Sequence, residues 1–335
     1  MSPSAPSELE ESKVTSVMLP SRPSIYEINT RLWLRELSSL YGRAITLANV
    51  PTEVWDVLSG FRFDAVWLMG VWERSPAGRA IAMQNDALRQ AFVTALPDVA
   101  DEDIVGSPYC IRAYEVDEVL GGRDGLAAAR AELAGRGMGL ILDFVPNHVA
   151  PDHPWIASHP EYFIRGTADD LESAPTEFFE AGGRIVANGR DPYYPPWPDV
   201  AQLNAFDPGL RAVTVDLLLD IAGQCDGLRC DMAMLMSTEI FALTWGERAG
   251  PSPAEQYWQE MIPAVRAQYP HFSFIAEVYW NMEWQMQQQG FDFSYDKRLY
   301  DRLARESAVE VREHLAAELA YQERLVRFIE NHDEP

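Results

Sequence analysis

Three apolar runs in this 335-residue chain each deliver a carboxylate: Gly227-Leu228-Arg229-Cys230-Asp231, Phe272-Ser273-Phe274-Ile275-Ala276-Glu277, and Phe328-Ile329-Glu330-Asn331-His332-Asp333. Acids brought by strand-like runs to one rim suit acid/base and nucleophilic chemistry on a neutral substrate. Side chains two apart on a strand share a face, so Arg229 and Asp231 project together. The guanidinium is expected to hold Asp231 ionised at neutral pH, as a nucleophile must be. Glu277 stands between Phe274-Ile275-Ala276 and Val278-Tyr279-Trp280, where desolvation and neighbouring carboxylates are expected to keep it protonated as an acid. Asp333 is placed to stabilise positive charge growing on a sugar ring, and His148 and His332 to donate to substrate hydroxyls. Singly, each of these residues reads more readily as a salt bridge or cap; their joint occurrence favours chemistry.

The elements that must carry them follow from periodicity. Strand-like runs fall at 24–29, 63–69, 138–143, 227–232, 272–277, 291–293 and 325–331, with helical patterns between them. The stretch Arg123 to Arg136 reads as an amphipathic helix capped at Asp124 and stopped at Gly135, and helices are also expected over 208–223, 254–268 and 297–320. Alternating strands and helices predict a parallel α/β sheet, closed as a TIM-type β/α barrel with its reactive groups where strands end. Between His148 and Asn204 the chain is rich in Pro, Gly, Trp and Tyr and too long for an ordinary βα loop, so it is expected to form an inserted subdomain.

Composition narrows the partners. With 51 acidic against 27 basic side chains, the formal charge of −24 repels nucleic-acid phosphates and anionic lipid, which leaves an uncharged partner. Cys110, Cys225 and Cys230 have neither an even framework nor metal-ligand spacing and read as buried reduced thiols. The polar first 23 residues read as a disordered leader with no secretory or membrane segment, and the chain as a cytoplasmic enzyme. Oligomeric state is not legible.

The motifs together resemble the α-amylase family, the clan of retaining α-glucoside-acting glycoside hydrolases built on a (β/α)8 barrel. Its four regions are similar, in order, to Asp143-Phe144-Val145-Pro146-Asn147-His148, Gly227-Leu228-Arg229-Cys230-Asp231, Ala276-Glu277-Val278 and Asn331-His332-Asp333, and Trp197 to Asn204 resembles a fifth. The resemblance covers nearly the whole chain from Ile25. It implies a barrel over 24–148 and 205–335 interrupted by a B subdomain at 149–204, after the third strand. It also implies Asp231 as nucleophile, Glu277 as general acid/base and Asp333 as transition-state stabiliser. Arg229, His148 and His332 become substrate-side partners, and Tyr109 the aromatic platform under the reacting sugar. In retaining enzymes the two working carboxyls sit about 5–5.5 Å apart.

Departures from the family pattern qualify this. Met234 and Leu235 replace a Lys-His pair, which weakens starch specificity, and Ala113 replaces a common aspartate with no evident consequence. Asn147 matches a calcium ligand, with Asn204 as a second amide; yet Ca2+ wants about six or more oxygens, several of them carboxylate, so Asn147 also reads as a scaffold residue. No cofactor is otherwise required. In the insertion, His153, Trp155, Tyr162, Tyr193, Tyr194 and Trp197 offer flat faces to sugar or to local packing, and Trp280 and Trp284 offer them to a leaving group. The ending at Pro335, before an eighth strand, suggests a C-terminally truncated gene product with an open sheet, marginal stability and weak activity. The reading is thus an α-glucoside or α-glucan hydrolase, with a transglycosylase of the same family or an inactive binding scaffold as alternatives.

Overall fold

The computed structural model describes residues 16–334. Seven strands form one parallel sheet in chain order: β1 (Ile25–Asn29), β2 (Ala65–Met69), β3 (Gly139–Phe144), β4 (Gly227–Cys230), β5 (Ser273–Ala276), β6 (Phe293–Tyr295) and β7 (Leu325–Val326). They are the seven expected runs. Their ends shift by one or two residues, β6 running Phe293–Tyr295 rather than 291–293 and β4 ending at Cys230 rather than 232, and the largest difference is at β7, which stops at Val326 rather than 331. Beyond Val326 the chain leaves the sheet, and Phe328 packs its ring on Tyr295 and Tyr300, at centroid distances of 5.3 and 5.7 Å.

Alternation along the strands sorts side chains to two faces. Ala65, Trp67, Met69, Ile141, Ile275, Phe293 and Tyr295 pack together on the concave face. Val66, Leu68, Leu140, Leu142, Leu228 and Phe274 join the larger cluster on the opposite face, with Leu126, Leu133, Leu218, Trp258 and Val265 from the helices. The sheet curls far enough for residues of both edge strands, Ile25 and Val326 among them, to line one cavity of about 960 Å³. This is an open part of a TIM-type barrel, with its inner face already packed.

Helices Gly122–Ala134, Pro208–Ala222 and Tyr257–Gln268 fall where expected, with shifted ends. The first is not capped by Asp124, which lies in its first turn; the cap is Gly121, whose φ of 112° suits glycine. The helix expected over 297–320 is broken into Lys297–Arg305, Ala308–Leu315 and Leu319–Gln322. The first break has a local cause: Ser307 caps a new helix, its N–H donating to Glu310 Oε2 at 2.8 Å in a capping box.

Residues 1–15 of the expected leader lie outside the described residues. Next to them, Val17 donates its N–H to Asp226 Oδ1 (3.1 Å), and Leu19 is buried against the concave cluster. Asp226 is itself buried, pairs with Arg130 (2.7 Å) and accepts from Leu140 N–H (2.9 Å), so one carboxylate fastens three segments at the floor of the sheet. After β3 the insertion forms a four-stranded antiparallel sheet from His148–Val149, Trp197–Gln202, Arg184–Gly189 and Phe178–Ala181, with Val149, Phe163, Val186 and Leu203 inside it. A ribbon of Trp72–Arg74 and Ile111–Val116, absent from the sequence reading, brings Tyr109 over the sheet. Among the described residues no helix is long and apolar enough to cross a membrane.

Asp226→Ala strands the buried Arg130 charge and is expected to cost about 3–5 kcal/mol in urea unfolding; a loss below about 1 kcal/mol would show that the floor contact is not structural.

Candidate active site

The concave face turns from apolar to charged at the ends of three neighbouring strands. Asp143 follows Ile141 by two residues, Glu277 follows Ile275 by two, and Arg229 stands between them, in register with Asp143 on one side and Ile275 on the other. Asp231 lies two residues beyond Arg229, so period-two alternation alone sends all four to one face.

Arg229 is 1% exposed, and its two terminal nitrogens divide three acids. Nη1 bonds Asp231 Oδ1 at 2.8 Å and reaches Asp143 Oδ1 at 3.5 Å; Nη2 meets Glu277 Oε2 at 2.8 Å. The guanidinium carbon lies 5.3, 5.1 and 5.8 Å from the ring centres of Trp67, Tyr109 and Tyr295. Glu277 takes two further bonds, from Tyr279 Oη (2.7 Å) to Oε1 and from Met232 N–H (2.6 Å) to Oε2. The second depends on strain, because Met232 sits at φ 42°, a left-handed conformation rare for a side-chain-bearing residue.

One guanidinium cannot neutralise three buried carboxylates. Burial first, then the charge of Glu277, pushes Asp231 up to about 7 against the opposing pull of Arg229. Burial likewise lifts Asp143 to about 6 despite Arg229 and the Trp67 indole. This corrects the expectation that Arg229 alone holds Asp231 ionised: desolvation and the neighbouring acid outweigh it in the ligand-free protein. The cluster retains a proton near neutral pH, held in part by Asp231.

The third acid arrives through a histidine. His332 Nε2 lies 3.2 Å from Asp333 Oδ2 and 2.8 Å from Tyr109 Oη, while Nδ1 meets Glu27 Oε1 at 2.6 Å. Burial opposes the charge on His332, but Asp333 and Glu27 outweigh it and raise the group to about 10. The His332 bond in turn holds the half-exposed Asp333 below its ordinary value, despite burial, with further help from the charge of Arg229. Tyr109 is half-buried between the Arg229 guanidinium and the His332 ring. His148 is buried, bonded to the Tyr109 backbone and set against Trp197 (5.3 Å), and burial depresses it to about 4, so it is neutral at pH 7. Asp231, Glu277, Arg229, Tyr109, His332 and Asp333 therefore form one connected group, with His148 attached through Tyr109.

Sequence reasoning missed Glu27 and Tyr279. Both carried a signal: Glu27 lies on β1, in the strand's period-two pattern, and Tyr279 is two residues beyond Glu277. Asp143 was visible only as part of a motif, yet it shares Arg229 with the other acids.

Asn147 does not fit calcium. Its Oδ1 and its backbone carbonyl both accept from Gln202 Nε2, each at 2.9 Å. Asn204 spends its amide on Phe206 N–H (3.1 Å) and on the Ala249 carbonyl (3.3 Å). No carboxylate joins these two amides, and among the described residues no group of three or more His, Cys, Asp or Glu is arranged to hold a metal. Asn147 ties β3 to the insertion.

No family model matches the chain. It is 26% identical over 265 residues to an alpha-1,4-glucan:maltose-1-phosphate maltosyltransferase of Rhodospirillum rubrum, covering 73% of this chain and 30% of that protein. A protein of the same name from Arcanobacterium haemolyticum is 23% identical over 249 residues, covering 70% and 29%. Among solved structures, an alpha-amylase from Lactobacillus plantarum superposes with a TM-score of 0.61 at 22% identity, over 93% of this chain and 64% of that one. A Nostoc punctiforme debranching enzyme gives 0.58 at 16% identity, over 96% and 67%. The chain thus spans under a third of the length of these curated relatives and under two thirds of the Lactobacillus structure. It is thus similar in sequence to maltosyltransferases and shares its fold with solved α-amylases and a debranching enzyme, with the ordered motifs on one face of the sheet.

Proposed function

We propose that this chain carries the catalytic centre of an α-glucoside- or α-glucan-acting enzyme that works by retaining double displacement. The observation that supports it most is the grip of a single buried guanidinium on both Asp231 and Glu277, which sets the two carboxyls side by side with one retained proton. In the working form that proton sits on Glu277. Glu277 gives it to the glycosidic oxygen as an Asp231 oxygen attacks the anomeric carbon from the opposite face; the carbon–leaving-group bond breaks and a β-glucosyl ester forms. Glu277, now a carboxylate, takes a proton from the incoming hydroxyl group. That oxygen attacks the anomeric carbon, Asp231 leaves, and the product is α. Asp333 and His332 face the ring as it gains positive charge, and Tyr109 lies beneath it.

The incoming hydroxyl belongs to water in a hydrolase and to a sugar in a transferase. The curated relatives are named as maltosyltransferases, which favours transfer as the second reading. An inactive scaffold is disfavoured because all three acids stand in the connected site. The three cysteines are buried and unpaired, consistent with a reducing cytoplasmic setting.

A panel of α-glucosides with and without acceptor sugar, followed by NMR, is expected to give first products of α configuration; β products would reject the mechanism. Asp231→Asn or Glu277→Gln is expected to lower turnover by at least about 10²-fold, and near-wild-type turnover in either removes the role assigned. A carbon-13 titration of the ligand-free protein checks the proton inventory. Because Glu277 raises Asp231, Glu277→Gln is expected to move the Asp231 midpoint down from about 7; an unchanged midpoint would show that the two acids do not share a field.

A further inference from the structure

A second cavity, of about 420 Å³, is lined from the helix Thr30–Tyr41, the loop before Tyr109 and the side chain of Arg74. It shares only Asn29 with the cavity that Arg229 and His332 line. In a chain of net charge −24 its walls carry three arginines, Arg31, Arg35 and Arg74. One of them is already paired, because Arg35 is bonded to Asp103. The other two divide a single carboxylate, Asp117. Arg31 Nη1 reaches Asp117 Oδ2 only at 3.9 Å, and Asp117 also accepts Val119 N–H on Oδ1 at 2.9 Å. Arg74 has no ion pair among the described residues; its Nη1 donates to the Gly106 carbonyl at 2.9 Å. Glu102, the remaining acid of the lining, is exposed, where water and salt screen it.

The shortage of negative charge shows in two independent ways. Arg31 stands in the first turn of its helix with no acid beside it, at the end where the backbone dipole already repels a cation. Burial, and then the charge of Arg31, pull Arg74 down to about 10 against the opposing charge of Asp117. This reverses the catalytic cluster: there three acids crowd one base, and here two bases divide one acid. The buried side chains of Leu34, Ile45 and Leu120 line the same space, so an anion entering it meets the two guanidiniums beside an apolar wall, where their attraction is strengthened.

We propose that Arg31 and Arg74 bind the phosphate group of a small ligand, free phosphate or a phosphomonoester, at a site apart from the catalytic centre. A guanidinium presents parallel N–H donors to two phosphate oxygens, and two guanidiniums supply the charge that a doubly negative group needs. The site adjoins the catalytic wall through Arg74, whose Nη2 lies beside Gly70, the residue whose N–H donates to Asp143 Oδ2 at 3.3 Å. A merely structural role for the two arginines, holding the loop before Tyr109 in place, predicts no ligand dependence.

Calorimetry of the full chain at low ionic strength, with inorganic phosphate and with glycerol phosphate as probes, tests the site without turnover, so its outcome is separate from that of the α-glucoside reading. Saturable binding is expected, at least about tenfold weaker in Arg31→Gln and in Arg74→Gln. In Arg35→Gln it is expected to stay within about twofold of wild type, because that charge is spent on Asp103. Asp117→Asn keeps a side-chain oxygen for Val119 N–H and is expected to bind phosphate at least about threefold more tightly, since the competing carboxylate charge is gone; loss of a structural contact would not tighten binding. Equal affinity for the two probes makes free phosphate the sufficient ligand, and tighter binding of glycerol phosphate adds the organic body to it. No saturation by either probe, wild-type affinity in the Arg31 and Arg74 variants, or a loss in Arg35→Gln equal to theirs overturns the proposal. If Arg74→Gln does not fold, Arg31→Gln and Asp117→Asn decide between the same outcomes.

Discussion

A single buried cation organises this molecule's chemistry. Arg229 sits in the middle strand of the sheet with its head in the concave face, where a guanidinium is tolerated only if several groups replace its water. Asp231, Glu277 and Asp143 supply opposite charge, and the faces of Trp67, Tyr109 and Tyr295 surround the rest. Nearly every property of the site follows from the imbalance of three acids on one base. It holds a proton near neutrality, lets the charge of Glu277 raise Asp231, and leaves Asp143 Oδ1 with only a long ion pair and no hydrogen bond.

The site also bridges the two edges of the sheet. β1 and β7 do not pair, yet His332, in the loop after β7, bonds Glu27 on β1 and lies against Tyr109. Its positive charge is sustained by the two carboxylates it joins. The same contact that orients Asp333 therefore connects the first strand to the seventh across the cavity, so geometry at the rim and closure of the fold depend on one imidazolium.

Much of this was legible in the sequence, for a simple reason. Strands of a parallel sheet are apolar runs, and a charged residue at the end of such a run on the inner face has few innocuous explanations; hence all seven strands and the three acids could be named. What escaped were features set by tertiary balance. The proton state of Asp231 depends on burial and on Glu277, neither of which is local to the Arg229-Cys230-Asp231 run. Gln202 filling the amide of Asn147 depends on a strand from the far end of the insertion. The break at Ser307 was local and readable, since Ser307 and Glu310 have capping-box spacing, but helical periodicity on both sides masked it. Glu27 became significant only when β1 was seen to face the loop carrying His332.

In the proposed mechanism Asp231 forms a covalent bond to the sugar while Glu277 moves the proton. The most direct measurement is mass spectrometry of the protein, intact and as peptides, after incubation with 5-fluoro-α-glucosyl fluoride, whose intermediate forms readily and hydrolyses slowly. One fluoroglucosyl unit on the peptide containing Asp231, absent in Asp231→Asn, is the predicted result. A stable adduct on any other carboxylate, or turnover of the reagent with inversion and no adduct, would contradict the account.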